Sequence, residues 1–245
     1  MNQNRYRRIG LIGHGHIGRT VAEALLSGKA GEWDLAAVLT RSLSKTGHSL
    51  HHADPTTFFK VPVDLYVDCG GPEALALLGQ QALERADVWS VSGAALANDD
   101  LCSALIATGT RYGHRLRLVA GAAGGLDAIQ ALGVDANVTV AVTIVTPERC
   151  AEFSTSVREA ASRLPNGVNL AVAIALAGPG IDRTTVQVTP TRDHSAHAIS
   201  VTARSRYGSF QSTLEPSANT TENRHVVAAS LIAALRQASR VIWVG

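Results

Sequence analysis

Residues 9–18, Ile9-Gly10-Leu11-Ile12-Gly13-His14-Gly15-His16-Ile17-Gly18, decide the fold, because they place a Gly-x-Gly-x-x-Gly pattern directly after a short apolar run. The apolar run predicts a buried strand, and the Ala- and Leu-rich segment that follows predicts a helix. Gly13 permits a tight turn, Gly15 lets the backbone approach a pyrophosphate, and Gly18 lets the helix pack closely on the strand. The segment therefore predicts a dinucleotide-binding β-α unit, with a glycine turn in an unrelated β-α unit as the alternative.

The variable positions of this glycine turn carry two histidines, His14 and His16. A His-x-His pair also occurs in metal sites. In a turn that is shaped for phosphate the cofactor is the favoured ligand, so we expect no metal ion here. We expect His16 and Ile17, at the start of the helix, to contact the dinucleotide together with the three glycines, because the N–H groups of a helix N-terminus attract phosphate.

The end of the second strand distinguishes an NAD site from an NADP site. In an NAD site a carboxylate follows this strand and binds the ribose 2′-hydroxyl. Here the apolar run 35–39 leads into Thr40-Arg41-Ser42, without a carboxylate. Arg41 and Ser42 can hold a 2′-phosphate through charge-assisted hydrogen bonds, so the sequence favours NADP over NAD. The alternative is that Arg41 is a solvated surface residue and that the site accepts either cofactor.

The order of apolar patterns along the chain predicts two domains. The first half alternates short aliphatic runs with longer helical patterns, which predicts parallel strands joined by right-handed crossovers. After residue 120 the pattern changes to period-two alternation with helical segments near 155–163 and over 168–177, which predicts a mixed or antiparallel sheet with helices on one face. Residues 223–243 return to a helical apolar spacing, which predicts a last helix that packs on the first domain. We therefore predict an α/β fold: a Rossmann-type doubly wound parallel sheet (residues 1–120 and 216–245) and a smaller α+β substrate domain (residues 121–215).

The composition is that of a globular protein, since 46% of the 245 residues are hydrophobic and 17% are charged. The net charge of +2 is too balanced for a nucleic-acid surface or a basic membrane-binding face. No apolar stretch approaches the roughly 20 residues that span a bilayer. Three separated cysteines without a Cys-x-x-Cys pair favour a reducing compartment. We expect a cytoplasmic protein with a small-molecule substrate and no nucleic-acid or membrane partner.

Four further segments carry, together with the glycine turn, a resemblance to a known family. They are Ser90-Val91-Ser92-Gly93-Ala94-Ala95-Leu96, Ala120-Gly121-Ala122-Ala123-Gly124-Gly125-Leu126-Asp127-Ala128, Leu164-Pro165-Asn166-Gly167-Val168-Asn169-Leu170 and Ser195-Ala196-His197-Ala198-Ile199. In this order they resemble the L-aspartate dehydrogenase family, whose members oxidise aspartate or reduce iminosuccinate with NAD(P). The resemblance extends from the Gly13 turn to about Leu214, which is most of the chain.

The resemblance implies a catalytic histidine. The family places this histidine in a strand as Asn-x-His-x-Ile, and His197 matches it with Ser195 in the asparagine place. Oxidation of an amine carbon needs a hydride acceptor and then a base that activates water against the imine, and an imidazole is suited to that exchange near neutral pH. The alternative is that His197 is a structural histidine.

The resemblance also implies cofactor contacts beyond the glycine turn and a homodimer built through the substrate-domain sheet. Family cofactor contacts match Ala122 and Asn169. We add two positions that follow strands of the first half to the expected cofactor contacts: Gly70 and Ala94.

The chain departs from the family pattern in the substrate domain. Between residues 138 and 158 it is shorter, and Ile144-Val145-Thr146-Pro147-Glu148 replaces an Arg-Lys-Pro segment. All three lysines precede residue 61, so arginine, backbone amides or the His197 imidazolium must hold a dianionic substrate. The candidate arginines are Arg149, Arg158, Arg183, Arg192, Arg204, Arg206 and Arg224.

The absence of a lysine in the second half disfavours two other nicotinamide enzyme types with this domain plan, dihydrodipicolinate-reductase-like and sugar-dehydrogenase-like proteins, because both rely on such a lysine. Two alternatives to an aspartate dehydrogenase stay open. One is a dehydrogenase or reductase for another small amino or imino acid on the same fold. The other is a non-catalytic dinucleotide-binding sensor.

Overall fold

The structure, a computed structural model, describes residues 7–41, 49–119, 121, 124–147, 150–193, 197–215 and 225–242. The strands are β1 (Arg7–Ile12), β2 (Trp33–Leu39), β3 (His51–His52), β4 (Leu65–Asp68), β5 (Asp87–Ser90), β6 (Leu116–Leu118), β7 (Thr139–Thr146), β8 (Phe153–Ser156), β9 (Thr185–Pro190), β10 (Ala198–Ser205) and β11 (Gly208–Leu214). The α-helices are α1 (His16–Leu26), α2 (Pro55–Phe58), α3 (Pro72–Leu83), α4 (Asp99–Tyr112), α5 (Leu126–Leu132), α6 (Val157–Arg163), α7 (Asn169–Ala177) and α8 (Val226–Ala238). A 3₁₀ turn covers Gly93–Ala97.

Six parallel strands form the first sheet, in the order β3-β2-β1-β4-β5-β6. The order reverses at β1, which lies between β2 and β4. In open α/β sheets, ligands bind outside the carboxyl ends of the strands at such a switch point. The glycine turn that follows β1 therefore lies where this topology places a ligand.

Helix α8 packs into the core of the first sheet. Leu231 and Leu235 are fully buried, in one apolar cluster with Ile9 and Leu11 of β1. The indole N–H of Trp33 donates to the backbone oxygen of Leu235 at 3.0 Å. The last described helix thus belongs to the same core as the first strand.

Five strands form the second sheet, in the order β11-β10-β7-β9-β8. Only β7 and β9 run parallel, so the sheet is mixed. Alternate residues of β7, among them Val140, Val142 and Ile144, are buried, which is the period-two pattern of a sheet covered on one face. Helix α7 is apolar on all sides, and its residues 171–175 are buried.

The chain divides into two compact units. One comprises Met1–Ser92, Asn98–Val119 and Val227–Gly245, and the other comprises Gly93–Ala97 and Ala120–Val226. The division differs from the predicted boundaries in two places, since Gly93–Ala97 belongs to the second unit and the first unit resumes at Val227 instead of residue 216. The side chains that bind the Gly93–Ala97 turn, Asn169 and Arg158, come from the second unit. In the described part of the chain, no helix has the length and apolarity that a membrane span requires.

One predicted helix, near 155–163, is in fact a strand followed by a shorter helix. The strand β8 ends at Ser156, whose hydroxyl accepts the backbone N–H of Glu159 at 3.3 Å and so caps α6. A Ser-x-x-Glu sequence is a helix start signal, and the helix begins after it rather than before it.

Candidate functional site

The turn between β1 and α1 has no space for side chains at its first and third glycines. Gly13 has φ +91°, and a Cβ atom there would lie 2.6 Å from the Cα atom of Gly70. Its N–H donates to the backbone oxygen of Leu39 at 2.9 Å. A Cβ at Gly18 would overlap the backbone oxygen of Gly13. Both glycines are therefore required by the packing of the turn itself.

The second glycine of the turn and the helix that follows fit a bound phosphate. Gly15 is exposed, and a Cβ atom there would meet nothing within 4 Å. As the N-cap residue of α1, it offers no side chain to cap the first N–H groups, and the first turn of α1 holds no acidic residue. Helix α1 begins with exposed His16, half-buried Ile17 and buried Gly18. Uncapped N–H groups and the positive end of the helix dipole together attract a phosphate.

Arg41 lies two residues after the end of β2, the strand that pairs with β1. Arg41 is exposed, and the N–H of the preceding Thr40 donates to the backbone oxygen of His52 at 2.9 Å. The rings of His14 and His51 meet edge to face, with centroids 4.7 Å apart. Ser42 lies outside the described residues, and among those described no three His, Cys, Asp or Glu side chains form a metal-binding group.

A buried carboxyl group at the end of β4 holds the loop that contains Gly70, and the sequence analysis missed it. Asp68 is 1% exposed; its Oδ1 accepts the N–H of Gly70 at 2.9 Å and its Oδ2 accepts the hydroxyl of Ser90 at 2.6 Å. Burial raises the pKa of Asp68, although hydrogen bonds from Ser90, Ser92 and Gly70 act in the opposite direction. The available signal was a carboxylate ending an apolar strand.

The thiol that follows Asp68, that of Cys69, ionises less readily than a free thiol. Burial raises the pKa of the Cys69 thiol well above its usual range, and the charge of Asp68 raises it further. A thiol with a raised pKa carries little thiolate at neutral pH. Cys69 is half-buried and packs against the apolar core of the first sheet.

Two of the predicted cofactor contacts bind each other in the second unit. The side-chain oxygen of Asn169 accepts the backbone N–H of Ala94 at 3.0 Å, and its side-chain nitrogen donates to the backbone oxygen of Asn166 at 3.2 Å. Asn169 thereby joins the start of α7 to the 3₁₀ turn. Ala122 lies outside the described residues, so only Asn169 of the two family-implied contacts can be located.

His197 lies directly before β10 and not within it, because the strand pairing begins at Ala198, opposite Val145. The connection that contains His197 starts after β9, beside the end of β7, where the N–H of Thr191 donates to the backbone oxygen of Thr146 at 2.8 Å. His197 is partly exposed. It therefore lies beside the carboxyl end of β7.

The arginines of the second unit serve different purposes. Arg158 forms a two-bond ion pair with Asp182 at 2.5 and 2.9 Å and also donates to the backbone oxygen of Ala97. Arg183 donates to the backbone oxygen of Ala136 at 2.6 Å. Arg206 donates to the hydroxyl of Tyr207 at 2.8 Å. Exposed Arg192 lies in the connection that contains His197, exposed Arg204 lies on β10, and Arg149 and Arg224 are outside the described residues.

The strand order, the glycine turn and the uncapped start of α1 define a dinucleotide-binding α/β protein with a second α+β unit. Two family models match the chain: "Homoserine dehydrogenase, NAD binding domain" over residues 13–119 and "Aspartate dehydrogenase, C-terminal" over residues 127–238. L-aspartate dehydrogenase 2 of Bordetella bronchiseptica is 34% identical over 260 residues, covering 94% of this chain and 96% of the relative. L-aspartate dehydrogenase of Ruegeria pomeroyi is 30% identical, covering 96% and 94%. The chain belongs to the L-aspartate dehydrogenase family.

The fold is also found in a solved relative. The crystal structure of aspartate dehydrogenase from Thermotoga maritima superposes with a TM-score of 0.77 at 21% identity, covering 98% of this chain and 99% of that one. An amine dehydrogenase from Mycobacterium smegmatis superposes with a TM-score of 0.59 at 11% identity, covering 96% of this chain and 93% of that one. The Rossmann-type fold with a second unit, which the sequence predicted, is confirmed.

Proposed function

We propose that this protein is an NAD(P)-dependent L-aspartate dehydrogenase. L-aspartate and NAD(P)⁺ give iminosuccinate, NAD(P)H and a proton, and water then converts the imine to oxaloacetate and ammonium; the enzyme also catalyses the reverse. The observation that carries the proposal is the 34% identity to a named L-aspartate dehydrogenase along nearly the full length of both chains. The dinucleotide-binding geometry of the glycine turn supports it independently.

The residues of the first unit suit the binding of the dinucleotide. When bound, NAD(P)⁺ supplies the hydride acceptor for the amine carbon. Gly13 and Gly18 keep the turn tight, and Gly15 leaves its outer side open where the backbone approaches the pyrophosphate. The uncapped N–H groups of His16, Ile17 and Gly18 would hold the phosphate oxygens. Gly70, exposed beside Gly13, completes this surface.

The second unit contributes the acid-base group and the turn at Ala94. His197 accepts a proton as water attacks the imine carbon, and it returns a proton in the reverse reaction. Its exposure at the end of β7 supports this role, since a fully enclosed ring cannot exchange protons with substrate and solvent. Asn169, Ala94 and Ala122 remain proposed cofactor contacts of the second unit; a family match supports Asn169 and Ala122, and the hydrogen bond from the Ala94 N–H to Asn169 links two of the three.

NADP is the favoured cofactor. Arg41 is exposed immediately after β2, where an NAD site carries a carboxylate. A guanidinium at this position attracts the 2′-phosphate, with Ser42 as a second donor.

The test is a steady-state assay at 340 nm with L-aspartate and each cofactor, and with oxaloacetate, ammonium and NAD(P)H in the reverse direction. We expect turnover in both directions. If only another amino acid is turned over, that amino acid and not L-aspartate is the substrate. Tight dinucleotide binding without turnover of any amino or imino acid would favour a non-catalytic sensor. A failure to bind either dinucleotide would overturn the proposal.

We propose further that the protein is a cytoplasmic homodimer. The family resemblance supports a dimer built through the second sheet, and the free cysteines Cys69, Cys102 and Cys150 support a reducing compartment. Light scattering after size exclusion tests the first proposal, since a monomer mass would contradict it. Fractionation of the source cells tests the second, and recovery outside the cytoplasm would contradict it.

A further inference from the structure

The Asp68 carboxyl group connects two successive loops at the carboxyl edge of the first sheet. It accepts the N–H of Gly70 in the loop after β4 and the hydroxyl of Ser90 at the end of β5. The Ser90 hydroxyl oxygen accepts in turn the N–H of Ser92 at 2.9 Å. The buried Asp68 side chain therefore holds the loop after β4 directly and the loop after β5 through Ser90.

The Gly70 backbone supports the glycine turn directly. A Cβ atom at Gly13 would lie 2.6 Å from the Cα and 2.7 Å from the nitrogen of Gly70, and 2.9 Å from the carbonyl carbon of Cys69. The Gly70 nitrogen that such a Cβ atom would meet is the one whose N–H donates to Asp68. A displacement of Gly70 therefore displaces the turn that faces the pyrophosphate.

We propose that Asp68 is a positioning residue for dinucleotide binding, which holds the Gly13 turn in its binding shape through the Gly70 N–H without touching the cofactor. The inference rests on the proposed function, because it needs a dinucleotide at the Gly13 turn. It assigns to Asp68 a role beyond stability. An apolar side chain of similar size can stabilise a core as well as a buried carboxyl group or better, but it cannot accept the Gly70 N–H.

The experiment compares two substitutions of similar volume, Asp68→Asn and Asp68→Leu. Asparagine keeps an oxygen acceptor for the Gly70 N–H, whereas leucine removes every acceptor and fills the space. Asp64→Leu is the matched control, because Asp64 lies just before β4 and its Oδ2 accepts the N–H of Arg8 at 2.7 Å, at the opposite edge of the same sheet. The dissociation constants of NADPH and NADH are measured by fluorescence titration, and unfolding of the unliganded protein is followed by circular dichroism.

We expect Asp68→Leu to weaken the binding of both dinucleotides by about tenfold or more, and Asp68→Asn to weaken it clearly less. Asp64→Leu lowers the unfolding temperature without changing either dissociation constant. In turnover, Asp68→Leu raises the KM of the dinucleotide while the KM of the amino acid stays near its native value. A general loss of stability would not raise one KM and leave the other unchanged.

Native dissociation constants in folded Asp68→Leu would overturn the inference and leave the proposed function intact. A native protein that binds neither dinucleotide would overturn both. Equal weakening by Asp68→Asn and Asp68→Leu would contradict the role of the Gly70 hydrogen bond. If Asp68→Leu does not fold, Asp68→Ala takes its place, because it removes the acceptors without adding volume. Its dissociation constants are then compared with those of Asp68→Asn in the same way.

Discussion

The side-chain oxygen of Asn169 accepts the backbone N–H of Ala94 at 3.0 Å, although the two residues are 75 positions apart. The same amide group donates to the backbone oxygen of Asn166. An amide has two N–H donors and two lone pairs, so one donor and one lone pair remain for other partners. Asn169 thus fixes the 3₁₀ turn at Ala94 and keeps polar capacity for a ligand.

Asn169→Ala removes both of these hydrogen bonds, and the N–H of Ala94 loses its acceptor. We expect a loss of about 1–3 kcal/mol in the free energy of unfolding, which is the scale for an unsatisfied, largely buried donor. Chemical denaturation measures it. Asn137→Ala, at an exposed position of the same unit, is the control and should be close to neutral. Equal stability of the two variants would show that the Asn169 bonds contribute little.

The glycine turn offers a test in which stability and binding separate. In Gly15→Ala the added methyl group meets nothing in the protein, and the backbone angles of Gly15, φ −77° and ψ −158°, suit alanine. We expect unchanged stability and dinucleotide binding weakened by about tenfold or more, since the methyl group occupies the space that the pyrophosphate approaches. Thermal unfolding and cofactor titration measure the two effects.

Gly13→Ala is the comparison, because its methyl group meets backbone atoms of Gly70 and its φ of +91° strains any other residue. We expect a stability loss of about 1–3 kcal/mol from the backbone strain alone, together with weaker binding. Native cofactor affinity in Gly15→Ala would show that the cofactor does not approach the turn at this point.

The sequence predicted the first unit well because its signals are local. A strand, a glycine turn and a helix follow one another within residues 9–26, and the order of the later apolar runs implies a parallel sheet. The apolar spacing of the last helix indicated that it packs on the first domain, and Leu231 and Leu235 lie in that core. By contrast, β3 was missed because two histidines carry no periodic pattern; its place is set by pairing with Val38 and Leu39.

Long-range contacts account for what the sequence did not predict in the candidate site. Nothing near residue 93 indicates that Gly93–Ala97 belongs with the second unit, since Asn169 and Arg158 hold it from far along the chain. The Asp68 network likewise joins residues of two strands. The proposed roles of His197 and Ala122 rest on the match to the family motif. The apolar periodicity of the sequence does not indicate a function for either residue.

Arg41→Ala tests the cofactor preference. If Arg41 binds the 2′-phosphate, the substitution removes a charge-assisted hydrogen bond made only to NADP. We expect the affinity for NADPH to fall by about 10- to 100-fold, while the affinity for NADH changes little. Fluorescence titration with both cofactors measures the ratio. Equal losses of affinity for the two cofactors, or a preference of the native protein for NADH, would show that Arg41 does not bind the 2′-phosphate.

Asp135 gives a pH dependence of stability with a defined sign. Backbone N–H groups of Arg206 and Asn137, at 2.9 and 3.0 Å, hold the pKa of Asp135 below its usual value of 3.8. Because the folded state favours the ionised form, this contribution is complete above the unfolded pKa and is lost as pH falls through it towards the lower folded pKa. We expect Asp135→Asn to be less stable than the native protein at neutral pH, with the difference shrinking below about pH 4.

Asp68→Asn is the comparison with the opposite sign. Burial raises the pKa of Asp68, so its unfolded form ionises first as pH rises. The native protein therefore loses stability relative to Asp68→Asn between pH 3.8 and the raised pKa. Unfolding free energies across this range, measured in urea, test both signs. A pH-independent difference for either variant would contradict the assigned shift.

His197→Ala tests the acid-base assignment. If His197 exchanges a proton with the imine-water step, the substitution lowers kcat by about a hundredfold or more. We expect dinucleotide affinity to stay near native, because the proposed pyrophosphate site is the Gly13 turn and not His197. His114→Ala is the control: its Nδ1 lies 2.7 Å from the backbone oxygen of Leu83, so it should lower stability and leave turnover intact. Near-native turnover in His197→Ala would make His197 a structural residue and leave the proton transfer to another group.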